Sequence, residues 1–274
     1  HLSIRRQRQM CIRDRNKSGS KYGKIPYADS TKGASTRSPL LRPRRASTPG
    51  IVTKEVKIMF PKRLTEGYQS FLEGRFHSER SRYEKLAETG QSPEILIIGC
   101  CDSRVSPEAI FDAGPGEMFV VRNVANLVPP CDPDSESSYH GTSAAIEFAV
   151  NGLNVKHIVV LGHASCGGIR AFFDDAKPLT KGDFIGKWMS QIAPVAEAIG
   201  PGTDDRAANL KRLELAVIGH SLNNLMTFPS IRRRVEKGEL ELHGTYFGVA
   251  TGVLFLRDPA TGEFHPCLET GLPA

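Results

Sequence analysis

The chain has 274 residues, of which 39% are hydrophobic and 24% charged, with 26 Gly, 18 Pro and no uncharged apolar run long enough to span a bilayer. Such a composition is that of a globular protein able to bury a core, and it excludes membrane-spanning helices as the organising feature. The net charge of +6 is uneven: residues 1–50 hold 13 Lys or Arg and 2 Asp, whereas the other 224 residues hold 23 basic and 28 acidic side chains, so a nucleic-acid-binding role for the whole chain loses its main support.

Residues 1–55 are rich in Arg, Lys, Ser, Gly and Pro and show no hydrophobic periodicity, so they are expected to form a disordered basic tail. The Arg5–Arg15 run resembles translated sequencing-adapter read-through. The rival reading is an Arg- and Ser-rich organelle presequence; the segment lacks the apolar stretch of a secretory signal. The folded domain is expected over 56–274. It opens with an amphipathic helical arm from Phe60 to Glu88, where Leu64, Tyr68, Phe71, Leu72 and Phe76 recur at three- and four-residue steps.

Apolar runs at 95–99, 118–122, 157–162 and 246–256 have strand character, the last broken at Ala250–Gly252 as in a hairpin that adds an antiparallel edge strand, and Ala144–Val150 and Leu210–Leu225 read as helices between them. The polar stretch Cys131–Ser138 reads as a surface loop and Asp258–Gly262 as a hairpin-type turn. Strands alternating with helices predict an α/β fold. Its central sheet is mainly parallel, with about four parallel strands plus an antiparallel edge strand, and helices flank it.

Two segments place soft and ionisable groups just after a strand, where open α/β sheets build their sites. The first is Ile97-Ile-Gly-Cys-Cys-Asp-Ser-Arg-Val105 and the second is Val160-Leu-Gly-His-Ala-Ser-Cys-Gly-Gly168. Cys100 or Cys101, together with His163 and Cys166, supplies two thiolates and one imidazole, a donor set suited to zinc. Three protein ligands leave a position for water, the pattern of a catalytic ion. Taken singly, these cysteines read as small buried thiols and His163 as a hydrogen-bonded core histidine. Six dispersed cysteines are no disulfide framework and point to a reducing, cytoplasmic setting.

Cys-x-Asp-Ser-Arg followed by Gly-His-x-x-Cys-Gly-Gly resembles the β-class carbonic anhydrases. The resemblance runs from about Lys62 to Pro266 and includes Pro115-Gly-Glu117, Val121-Arg-Asn-Val-Ala-Asn126, Ser221-Leu-Asn-Asn-Leu225 and Leu242-His-Gly244. It implies Zn²⁺ held by Cys100, His163 and Cys166, and zinc-dependent conversion of CO₂ to bicarbonate and a proton by attack of zinc-bound hydroxide. It further implies an Asp102–Arg104 dyad that orients the nucleophile, and a substrate pocket touched by Gln91, Phe119, Val124 and Gly167.

The family's N-terminal helices pack on a second copy, so a homodimer or larger even oligomer is implied, with neither nucleic acid nor membrane as partner. Phe148 stands where plant-type members carry Tyr, and Ile97 where bicarbonate-inhibited members carry Trp, so no such inhibitory site is expected. Two thiolates offset the charge of zinc, so activity is expected to rise toward alkaline pH. Two alternatives stand beside this reading: a carbonyl sulfide or carbon disulfide hydrolase on the same scaffold, and a non-catalytic zinc or nucleic-acid-binding protein recruited by the basic tail.

Overall fold

A computed structural model describes residues 60–132, 140–200 and 202–268. The basic segment 1–55 and most of the 131–138 stretch lie outside them.

The arm is two helices where one was expected: α1 (Lys62–Glu73) and α2 (Arg75–Thr89) meet at Gly74, whose φ of −105° and ψ of −92° interrupt the helix. The apolar repeat is thereby divided between two surfaces. Phe71 and Phe76 turn toward Tyr83, with ring centroids 5.3 to 6.0 Å apart, and hold the two helices together. Leu64, Tyr68 and Leu72, spaced four apart on α1, remain exposed. The arm is pinned to the domain by Arg75, which donates to the Ala113 carbonyl at 2.8 Å, and by the Arg82–Glu117 ion pair at 2.9 Å.

The remaining elements are β1 (Ile95–Cys100), the single turn α3 (Pro107–Ile110), β2 (Met118–Asn123) and a 3₁₀ turn at Val124–Asn126. Then come α4 (Gly141–Glu147), which widens into a π-type turn at Phe148–Gly152, β3 (His157–His163) and α5 (Gly167–Phe173). Next are α6 (Phe184–Met189), a 3₁₀ turn at Ser190–Ile192, α7 (Ala193–Ala198), α8 (Arg206–Leu225) and α9 (Pro229–Glu236). The chain closes with β4 (Glu241–Phe247), β5 (Leu254–Arg257) and β6 (Phe264–Pro266). α8 begins four residues before the apolar pattern does, because Asp205 caps it by accepting from the Ala207 and Ala208 amides.

These strands form one sheet in the order β2-β1-β3-β4-β5-β6. The first four run parallel, β5 pairs antiparallel with β4 and β6 antiparallel with β5, the mainly parallel sheet with an antiparallel edge that the alternation predicts. The apolar run 246–256 is the end of β4, a turn and β5, the antiparallel hairpin expected from its break at 250–252. One detail differs: the edge carries a further short strand, β6, joined to β5 through the expected Asp258–Gly262 turn. In that turn the Asp258 carboxylate accepts from the Ala260 and Thr261 amides, and Gly262 supplies a φ of +81°.

One core packs Leu96, Ile98, Ile158 and Val160 of the sheet against Ile146 of α4, Ile218, Leu222 and Leu225 of α8 and Ile231 of α9. A second surrounds the strand ends with Val105, Leu127, Ile169, Met189, Ile192, Leu213 and Val217, and Cys100 and Cys166 are members of it. Gly162 permits the close approach of β3 and α8: a Cβ there would stand 2.5 Å from the Ile218 Cδ1.

Candidate active site

Cys100 is the last residue of β1 and His163 the last of β3, and the two strands are parallel neighbours. Adjacent strands lie about 4.8 Å apart, so residues 63 positions apart in sequence end side by side. Cys166 follows after one tight turn, in which Ser165 takes a φ of +58°, and stands at the N-cap of α5. The ligand atoms of Cys100, His163 and Cys166 lie within 4.8 Å of one another, and all three residues are buried.

The chemistry of this cluster fits a metal ion. The two sulfurs are 4.0 Å apart, close to the roughly 3.8 Å that tetrahedral zinc with bonds near 2.3 Å would impose. His163 Nδ1 faces the Ala164 carbonyl at 2.9 Å, an acceptor only, so this nitrogen carries the proton and Nε2 keeps its lone pair. That Nε2 is buried without a hydrogen-bond partner among the described residues, which is costly unless it binds something. Cys101, the alternative ligand, is exposed and outside the cluster.

The two thiols act on each other at this distance. Cys100 is pushed down because Cys166 hydrogen-bonds to it, and Cys166 is pushed up by that same contact and by burial. Burial works against charge on His163, but the neighbouring Cys100 sulfur outweighs it and raises the imidazole's pKa.

Asp102 stands two residues beyond Cys100, largely shielded from solvent. Its Oδ1 accepts from the Arg104 backbone amide at 3.0 Å and from Nε at 2.9 Å, and its Oδ2 accepts from Nη2 at 2.7 Å. Hydrogen bonding from Arg104 holds the carboxyl far below the usual carboxylate range. Arg104 Nη2 also reaches the Ser165 carbonyl at 3.1 Å, tying the loop of Cys100 to the loop of Cys166.

The other predicted positions are more dispersed. Val124 packs in the same core as the two cysteines, and its carbonyl accepts from Trp188 Nε1 at 2.8 Å. Gly167 is exposed at the start of α5, and a Cβ there would meet no atom within 4 Å. Phe119 lies on β2 beside Phe148, with centroids 5.7 Å apart, and is packed against the other core. Gln91 is exposed in the segment between α2 and β1.

Several supporting residues escape a motif reading. Arg122 donates to the Cys100 and Asp102 carbonyls, each at 2.7 Å, and fixes the backbone of the first loop. Glu214, on α8 and 3% exposed, accepts from the Cys166 amide at 3.0 Å and from the Tyr246 hydroxyl at 2.8 Å. Burial raises its pKa. The sequence did carry a signal here: Glu214 falls on the apolar stripe formed by Leu210, Leu213, Val217 and Ile218, where a charged residue needs a partner.

Comparison with known proteins agrees with this geometry. Residues 95–254 match the family model described as carbonic anhydrase. The chain is 35% identical over 199 residues to beta carbonic anhydrase 3 of Arabidopsis thaliana, covering 71% of this chain and 75% of that one. It is 38% identical over 190 residues to the chloroplastic beta carbonic anhydrase 5 of the same plant, covering 67% and 60%. A tetrameric beta-carbonic anhydrase of Sordaria macrospora superposes with a TM-score of 0.61 at 30% identity, over 74% of this chain and 97% of that one. With the family model spanning more than half its length and a Cys–His–Cys cluster gathered from the ends of two neighbouring parallel strands and the start of the helix that follows, the chain belongs to the β-class carbonic anhydrases.

Proposed function

We propose that the chain holds Zn²⁺ through Cys100 Sγ, His163 Nε2 and Cys166 Sγ and interconverts CO₂ with bicarbonate and a proton. The observation that carries this reading is the buried Nε2 of His163, without a hydrogen-bond partner among the described residues, beside two thiols whose separation suits a tetrahedral zinc. When bound, zinc supplies the Lewis acidity that makes water a nucleophile near neutral pH.

The chain's own groups do the rest. Asp102, kept ionised and turned by Arg104, accepts the hydrogen bond of the attacking oxygen and leaves a lone pair free toward CO₂. Val124 and Phe119 line the apolar side of the pocket, and the bare Cα of Gly167 leaves room for a three-atom substrate. Gln91 reaches this pocket from a second copy, so the working unit is a homodimer or larger even oligomer. Its five described cysteines are free, in keeping with a reducing cytoplasm. Among the described residues no helix is long and apolar enough to cross a membrane.

Stopped-flow CO₂ hydration from pH 6 to 9, on zinc-loaded and metal-stripped protein, tests metal, substrate and nucleophile together. The expected result is zinc-dependent turnover that rises toward alkaline pH and is lost in Cys166→Ser. Absence of turnover at every pH, with hydrolysis of carbonyl sulfide by the same sample, would overturn the assignment of substrate.

A further inference from the structure

The opposite end of the sheet holds a second group of metal-ligand side chains that no motif draws together. β3 and β4 run parallel with His157 beside Glu241 and Val159 beside His243. Side chains two apart on a strand share a face, so His157, Glu241 and His243 project from one patch. His157 and His163 are the two ends of β3, which puts this patch about 20 Å from the thiol cluster at 3.3 Å per residue.

We infer that His157, Glu241 and His243 form a second site for a divalent transition-metal ion such as Zn²⁺. His157 Nδ1 and His243 Nε2 are 3.2 Å apart, and one Glu241 carboxylate oxygen lies 3.5 Å from each. Ligand atoms bound to tetrahedral zinc at 2.0 to 2.1 Å must stand about 3.3 to 3.4 Å apart, so the three donors already mark a triangle of that size. Direct bonding explains it less well, because a charge-assisted N–H to carboxylate bond closes to about 2.7 to 2.9 Å. Glu241 stands back from both rings, as donors around a common centre do.

The donor set differs in kind from the first site. Two imidazoles and a carboxylate are borderline to hard ligands that suit Zn²⁺, Ni²⁺ or Cu²⁺, whereas two thiolates favour soft ions. In the ion-free state one imidazole donates to the other; on binding, that proton moves by way of solvent to the ring's second nitrogen, so both rings stay neutral and present lone pairs. Glu94 lies close enough to His157 to interact electrostatically and is itself paired with Lys156. Arg234 is turned away, donating to the Val150 and Val155 carbonyls. His157 and Glu241, together with Glu239 and the cations Lys156, Arg233 and Arg234, line an open cleft of about 700 Å³, which gives an ion its path of entry. An ion held here would clasp β3, the strand that ends in His163, to β4.

The test is zinc stoichiometry of the full chain after equilibration with Zn²⁺ and gel filtration, comparing the unaltered protein with His157→Gln/His243→Gln. The expected difference is one zinc per chain, whatever the occupancy of the thiol site, with CO₂ hydration and far-ultraviolet circular dichroism unchanged in the variant. Cu²⁺ added to zinc-loaded protein should give an electron paramagnetic resonance signal with coupling to two imidazole nitrogens, absent from the variant. Equal zinc content in the two proteins, or copper coupling that persists in the variant, would overturn the second site.

Discussion

Three nitrogens of Arg104 converge on the Asp102 carboxylate, and this contact sets both its charge and its direction. Asp102→Asn replaces one accepting oxygen with an amide that cannot accept from the guanidinium. Arg104→Lys keeps the charge but loses the fork that orients it. Each change is expected to lower kcat for CO₂ hydration about 100-fold through misplacement of the attacking oxygen, with zinc content unchanged, as stopped-flow kinetics and metal analysis would show.

Glu214 acts at one remove, holding the Cys166 amide and the Tyr246 hydroxyl together inside the protein. Glu214→Ala leaves two buried donors without an acceptor and should cost about 2–4 kcal/mol in urea unfolding. Tyr246→Phe removes a single hydrogen bond and should cost about 1 kcal/mol.

Among the elements, the arm shows most plainly how a local pattern underdetermines structure. The periodicity of Leu64, Tyr68, Phe71, Leu72 and Phe76 is genuine, but it serves two surfaces once Gly74 breaks the helix. Phe71 and Phe76 close the hairpin with Tyr83, and neither α1 nor α2 has a fully buried residue. Leu64, Tyr68 and Leu72 therefore form an exposed apolar face, which the proposed assembly with a second copy would cover. Leu64→Glu combined with Tyr68→Glu is expected to shift sedimentation velocity toward a smaller species, with the circular dichroism of the folded domain retained.

α8 was visible from its apolar spacing, yet its first turn was not, since Asp205 rather than an apolar residue starts it. The strands at 95–99 and 157–162 were clear because buried parallel strands are continuous apolar runs. The turn at Asp258–Gly262 is legible from its residues, but β6 beyond it is not, because three residues at an edge carry no periodicity.

At the scale of the whole molecule, stability should depend on pH through half-buried histidines. His220, hydrogen-bonded to Asn224, has its pKa lowered, chiefly by burial. The unfolded chain, with a histidine pKa near 6.5, then binds more protons than the fold in mildly acidic solution. The stabilisation is complete above the unfolded pKa and is lost as pH falls through the lower folded one. His220→Gln should therefore flatten the fall in melting temperature below about pH 6.5, as calorimetry across that range would show.

The order and identity of the chemistry lie in the sequence: a Cys-x-Asp-Ser-Arg segment and a Gly-His-x-x-Cys segment, each behind an apolar strand, with Asp102 and Arg104 near enough in the chain to pair locally. Those features depend on residue type and short spacing, which a linear chain carries. Only the tertiary structure brings Cys100 within reach of His163, because that depends on β1 and β3 being neighbours in the sheet. It alone sets Glu214 beneath Cys166 and joins His157 to Glu241 and His243. Contacts across 48 and 86 residues are fixed by strand register and helix packing, quantities that no local pattern of residues encodes.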